Sequence, residues 1–316
     1  MGVVNRKRRA EMKRKSVGCR LLVPDGSLKD VVERLLAEAG FPISYSGQRS
    51  YKGVIGNARL FPPPYNVVTR MRPWDIPWVI ADGKADLGFS ADDLIGEAGC
   101  QRKVTVIDRY PLSRGGVGKT RLVIAVPPGS RIRKVADLKP QHELVTEYPR
   151  LARQWLKARG VRPRIRQCHG SLEGFDDFAD AIFENVETGL SLEVAGFRVI
   201  AQVMESRCCL IAGQAAIKDA SKSAIIDQVR LLLASVIDAR QKRTLTCNVL
   251  TSLADINEVL RLLPGADSPT VSELANKRGV AVEAVVPAGD VPSLICQLKA
   301  AGATSVIVSP MSHWAK

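Results

Sequence analysis

Glu184 and Glu187 stand three residues apart at the end of an apolar, strand-like run, and Thr188-Gly189-Leu190-Ser191 follows at once. Carboxylates followed by a small, hydroxyl-bearing turn suit a ribose 5-phosphate. The acids can hold ribose hydroxyls, directly or through Mg2+, while turn N–H groups and the Thr188 and Ser191 hydroxyls receive the phosphate. The same residues can also form a helix N-cap, in which Thr188 or Ser191 merely satisfies backbone donors. Taken alone, they favour the cap.

A second anion-facing candidate is GGVGKTRL at 115–122. The phosphate-binding pattern G-x-x-x-x-G-K-[ST] needs a glycine where this chain has Ser113, and it opens a helix. Here an apolar run, Arg121 to Val126, reads instead as a strand. The strict P-loop is therefore rejected. Two readings remain: a phosphate-facing turn with Lys119 and Arg121, and a surface hairpin entering a strand, which this stretch alone favours.

The elements that must position these residues alternate strand and helix. CRLLVPDGSL reads as a buried strand ending in a turn, and LKDVVERLLAEAG as a helix closed by Gly40. A loop with FPPPY, the strand NVVTRM, a helix starting near Asp75-Ile76-Pro77, a strand over 85–90 and another helix follow. From Arg121 the pattern restarts: strands near 121–126, 143–146 and 164–168, the helix PRLARQWLKARG between them, and a helix near 174–178. FRVIAQVMES and CCLIAG are further strands, and 218–243 is a long amphipathic helix. This alternation predicts an α/β fold with largely parallel sheets. The last 70 residues or so alternate in β-α-β-β-α-β order, the ferredoxin-like sequence of elements.

The 316 residues suffice for two or three domains, and 46% hydrophobic with 25% charged residues is ordinary for a packed globular chain. Seven cysteines without C-x-x-C spacing fit reduced cytosolic thiols and make a zinc site unexpected. No apolar run reaches a membrane span and no signal-like segment opens the chain, so a cytoplasmic protein is expected. The net charge of +14 is concentrated in NRKRRAEMKRK, read as a solvated, disordered tail over 1–17 and not as a nucleic-acid arm.

Ten segments in order resemble the long, three-domain form of ATP phosphoribosyltransferase, the first enzyme of histidine biosynthesis. They are QRSY (48–51), RPWDIP (72–77), DGKADLGFSADDL (82–94), GKTRLVIAVP (118–127), TEYPRL (146–151), GSLE (170–173), ADAIFENVETG (179–189), MESRCCLIA (204–212), LPGADSPTV (263–271) and LKAAGATSVIVSP (298–310). The resemblance implies a two-lobed catalytic unit like a type II periplasmic binding protein, with an ACT-like C-terminal domain for regulation or assembly. Lobe I would take 18–112 and 195–240, lobe II 113–194, and the C-terminal domain 243–316.

It further implies transfer from phosphoribosyl pyrophosphate (PRPP) to a heteroaromatic acceptor, ATP by default, with Mg2+ on the leaving group. By matched position Glu184, Glu187, Thr188, Gly189, Leu190 and Ser191 would bind PRPP. Glu184, Glu187 and Arg72 would serve catalysis, Glu184 and Glu187 would be the Mg2+ ligands, and Arg49, Asp93, Tyr148 and Glu173 would meet the acceptor. Arg72 could equally pair with Asp75 in a structural ion pair. A homo-oligomer, dimer or hexamer, and a histidine effector are implied as well. Asp25, Ser27 and Asp92 stand where the family places basic residues, which motivates a divergent paralogue with a less anionic acceptor. A non-catalytic ligand-binding protein on the same fold is the alternative of another class.

Overall fold

In the computed structural model, the described residues are 18–315 except 48, 114, 253, 264, 267 and 276. The basic tail expected at 1–17 and Gln48 of QRSY lie outside them. Strand β1 (Leu21–Pro24) is buried from end to end and delivers the chain to helix α1 (Lys29–Glu38). As its spacing predicts, the helix closes on Gly40, whose φ of 83° is the left-handed conformation that a side chain disfavours.

Short strands β2 (Ile43–Tyr45) and β3 (Lys52–Ile55) lead to β4 (Val67–Met71), α2 (Ile76–Ala81), β5 (Leu87–Ala91), α3 (Asp92–Ala98) and β6 (Val104–Tyr110). A second lobe is then built from β7 (Thr120–Val126), β8 (Glu143–Thr146), α4 (Pro149–Lys157), β9 (Arg164–Gln167), β10 (Ala181–Val186), α5 (Leu190–Val194) and β11 (Arg198–Ser206). The chain returns at Arg207 into β12 (Cys208–Gly213), then α6 (Gln214–Lys218) and the long α7 (Ala220–Arg240).

The first sheet runs β2-β3-β4-β1-β5-β12-β6 and the second β11-β7-β10-β8-β9. Each sheet takes in, antiparallel, the first strand after a crossing. These are β7 between β10 and β11, and β12 between β5 and β6. This is the expected two-lobed, type II periplasmic-binding-protein-like α/β unit. All six residues of β12 are buried, which is why CCLIAG reads as an unbroken apolar run and not an alternating one.

Three expectations are corrected. The sheets are mixed, not largely parallel: only β1–β4, β1–β5, β8–β9 and β8–β10 pair in parallel. The crossing strands and the β2–β3–β4 edge, whose strands face opposite neighbours, account for the rest. The second lobe does not end at 194, because β11 stays in its sheet and the return falls at Arg207. The expected helix at 174–178 is a single tight turn over Leu172–Phe175.

A second compact unit begins at Leu231. It comprises β13 (Lys242–Leu250), α8 (Ile256–Leu262), β14 (Thr270–Glu273), β15 (Gly279–Pro287), α9 (Val291–Ala300) and β16 (Val306–Pro310), the expected element order. The sheet order β14-β15-β13-β16, antiparallel throughout, is ferredoxin-like. Leu245, Cys247 and Val249 alternate along β13 with half-buried neighbours. They pack on Val259 and Leu298 from the two helices, giving this unit its own core.

Candidate active site

The two crossings between the lobes bound a cavity of about 480 Å³. Ser113 lies on the first crossing, Ser206 and Arg207 on the second, and all three line it. The second lobe contributes Glu147 and Tyr148 after β8, and Glu184, Asn185 and Glu187 at the end of β10. Among the described lining residues, four carboxylates, Asp93, Glu147, Glu184 and Glu187, stand beside one cation, Arg207.

Asp93 is 1% exposed and joins the lobes. Its Oδ2 accepts from the Tyr148 hydroxyl at 2.9 Å and Asn185 Nδ2 at 2.8 Å, and its Oδ1 from the Ser206 hydroxyl at 2.6 Å. Three neutral donors thus satisfy a buried carboxylate with no cation involved. Burial, and then the Asp93 charge, push the Tyr148 phenol well above its ordinary pKa, so the hydroxyl stays a donor. Two of the four residues expected to meet the acceptor, Asp93 and Tyr148, line the cavity and are hydrogen-bonded to each other.

Glu187 is gripped by the glycine-rich turn. Its Oε1 accepts from the Ser113 hydroxyl, Gly115 N (3.0 Å) and Val117 N (3.1 Å), and its Oε2 from Gly115 N at 2.9 Å. Burial pushes its pKa up, yet these hydrogen bonds win and hold it below the usual carboxylate value. The turn at 115–118 therefore does wrap N–H groups around an anion, and that anion is the chain's own carboxylate. The phosphate-facing reading is corrected accordingly: Lys119 pairs with Glu205 at 2.7 Å.

Glu184 is the opposite case. Its Oε1 accepts from Asn185 N at 3.0 Å, while Oε2 is buried without a partner. Burial, assisted by the charges of Glu173 and Glu147, raises its pKa to about 8. Two carboxylates three residues apart are thus held in different protonation states at neutral pH, one paired and one desolvated.

The remaining expected residues lie elsewhere. Thr188 and Ser191 are exposed and Leu190 is 61% exposed, outside the cavity lining. Gly189, with φ 87°, turns the chain into α5, and the Thr188 hydroxyl accepts from Leu190 N at 3.3 Å, the local cap contact foreseen. Arg49, Arg72 and Glu173 do not line the cavity, and Arg49 and Arg72 are exposed. Asp75 makes no ion pair with Arg72; its Oδ1 accepts from Trp78 Nε1 at 3.0 Å.

Of the three departures, Ser27 lines the cavity, whereas Asp92 is engaged by the Arg109 guanidinium at 2.9 and 3.0 Å and does not line it. Sequence reasoning missed Ser113, Glu147, Asn185, Ser206 and Arg207 as site residues. The motifs TEYPRL, ADAIFENVETG and MESRCCLIA contain four of them, but nothing local marks which side chains turn inward.

A family model for ATP phosphoribosyltransferase matches residues 72–235, and one for the HisG C-terminal domain matches 239–313. The chain is 34% identical over 301 residues to the ATP phosphoribosyltransferase of Methanothermobacter thermautotrophicus, covering 93% of this chain and 98% of the relative. With that of Pelodictyon phaeoclathratiforme it shares 32% over 288 residues, 91% and 94% of the two chains. Among solved structures it is similar to the ATP phosphoribosyl transferase (HisG:HisZ) complex from Thermotoga maritima. The TM-score there is 0.55 at 19% identity, over 68% of this chain and 98% of that one, a likeness of fold. Fold, site and both matched domains together make this chain a member of the ATP phosphoribosyltransferase family.

Proposed function

We propose that the chain transfers the 5-phosphoribosyl group of PRPP to a ring nitrogen of ATP, the opening step of histidine biosynthesis. The nitrogen lone pair attacks C1′, the bond from C1′ to the pyrophosphate oxygen breaks with inversion, and pyrophosphate leaves with the electron pair. The observation that carries this reading is the meeting of Glu184 and Glu187 in one inter-lobe cavity, in a chain of this family. An oxocarbenium-like transition state asks for positioning and charge stabilisation, and no protein base is required. Glu187, held ionised, accepts from the ribose hydroxyls, while the turn at 188–191 on the rim receives the 5-phosphate. Arg207, in the cavity lining, meets the polyanionic ends of the substrates.

Mg2+ fits this site. Glu184 Oε2 is a buried hard oxygen with no partner, and Glu147 and Glu173 act on it electrostatically. Among the described residues no three His, Cys, Asp or Glu side chains cluster as a metal cage. Mg2+ commonly uses one or two carboxylates, substrate phosphates and water, so Glu184, releasing its proton as the ion binds, is its proposed protein ligand. When bound, the ion neutralises the departing pyrophosphate. The saturated Oε1 of Glu187 is no longer offered to a metal.

A second reading rests on the excess of carboxylates over cations in the cavity: transfer to a less anionic heterocycle. Mass spectrometry of the PRPP-dependent product separates the two. Incubation with PRPP, ATP and Mg2+ is expected to give phosphoribosyl-ATP and pyrophosphate; pyrophosphate release only with another acceptor favours the second reading, and none with any acceptor refutes both. A cytoplasmic homo-oligomer whose C-terminal domain binds histidine completes the proposal, and inhibition of the same assay by millimolar histidine is the expected result. Among the described residues no helix is long and apolar enough to cross a membrane.

A further inference from the structure

We propose that Ser113, on the first inter-lobe crossing, is a positioning residue that aims the Glu187 carboxylate at the ribose of the phosphoribosyl donor. This inference rests on the PRPP reading of the site. Ser113 lies between β6 and β7 and is only 5% exposed. Its hydroxyl oxygen accepts from Gly118 N at 2.7 Å, closing the turn on itself. A hydroxyl has one hydrogen, and with its oxygen already accepting from the backbone that hydrogen is directed to Glu187 Oε1. The direction of the bond is fixed by the turn and not by Glu187.

The distribution of donors over the carboxylate gives the arrangement its use. Oε1 takes three donors, Ser113 Oγ, Gly115 N and Val117 N, and is saturated. Among the described residues Oε2 takes one, Gly115 N, and keeps acceptor capacity on a side chain that lines the cavity. A carboxylate that merely stapled a loop would gain nothing from leaving one oxygen underused beside a cavity. One that binds sugar hydroxyls needs this: one oxygen locked for aim, the other open to the ligand. The grip comes from the segment that links the lobes, so the geometry of the crossing sets the geometry of the ribose contact.

The test compares S113A, S113T, E187Q and the S113A/E187Q double variant in steady-state kinetics with PRPP and ATP, alongside thermal unfolding. Losing one hydrogen bond to a charged group is expected to raise KM for PRPP roughly 10- to 100-fold in S113A. KM for ATP should stay nearly unchanged, and S113T, which keeps the hydroxyl, should restore PRPP binding. Serine and glutamate acting as one unit makes the double variant little worse than E187Q alone. An unchanged KM for PRPP in folded S113A, equal losses for both substrates, or independent multiplication of the two defects would overturn the proposal. Should S113A not fold, E187D draws the carboxylate back from the same donors and takes its place. Calorimetry of the wild-type protein with PRPP separates the two levels: absence of binding refutes the PRPP reading itself, whereas binding with a silent S113A refutes only the role of Ser113.

Discussion

Glu184 and Glu187 are the same residue type in two environments, and the difference has a measurable sign. Glu184 is pushed up to about 8 by burial, so between its unfolded value and that point the native chain holds a proton that the unfolded chain has lost. Its contribution to stability is complete below the unfolded pKa and is lost as pH rises through about 8. E184Q, which cannot ionise, should therefore gain on the wild type between about pH 5 and pH 8, by roughly 3–4 kcal/mol. Urea titrations in Mg2+-free buffer check this, and parallel curves for the two proteins would refute it. The acidic pair and its hydroxylated turn were legible in the sequence because they are local. Ser113, Ser206 and Arg207 were not, since their roles arise where the chain crosses between lobes and returns, nor was Asn185, whose partner Asp93 is distant in sequence. GGVGKTRL favours a surface hairpin over an anion-facing turn when taken alone, because the anion it holds, Glu187, lies about seventy residues away.

Elements meet at Asp93, where the start of α3, the residue before α4, the end of β10 and the last residue of β11 converge on one carboxylate. Replacing it by alanine leaves the buried hydroxyls of Tyr148 and Ser206 without their acceptor, each costing about 1–3 kcal/mol, while Asn185 Nδ2 keeps only its longer bond to the Tyr148 hydroxyl at 3.2 Å. D93A is expected to lose roughly 3–5 kcal/mol by urea unfolding, and Y148F, which removes one donor and leaves two, about 1 kcal/mol. Equal losses in the two variants would show that the carboxylate is not the common acceptor. Legibility at this scale followed burial pattern. β1, β7 and β12 carry strong apolar signals because both faces of the strand are covered. β6 keeps only its first and last residues buried, and β2 and β3 span three and four residues, too few for a period to show. β11 could not announce which sheet it joins: its pairing with β7 shifts register twice, between Val199 and Ala201 and between Gln202 and Met204, which scrambles the alternation.

The whole molecule sets a far field against a near one. A net charge of +14 favours the approach of polyanions such as PRPP and ATP, while the described residues lining the proposed site present four carboxylates and Arg207. The far field acts through solvent and is screened over roughly 10 Å at 0.1 M salt. The near field lies between the lobes, where charges stand within a few ångströms of a bound ligand, well inside the screening length. Encounter should therefore weaken with ionic strength while the chemical step does not. KM for PRPP is expected to rise several-fold between about 50 and 300 mM NaCl at fixed free Mg2+, with kcat nearly constant. Residues 1–17 carry seven of the basic side chains and one acid, so their removal should flatten this slope without abolishing it, leaving kcat at saturating PRPP unchanged. A KM indifferent to salt in the full chain would mean that the global charge plays no part in capture. A kcat that falls in step with KM would place the salt-sensitive contacts inside the cavity, against the distribution of charge found there.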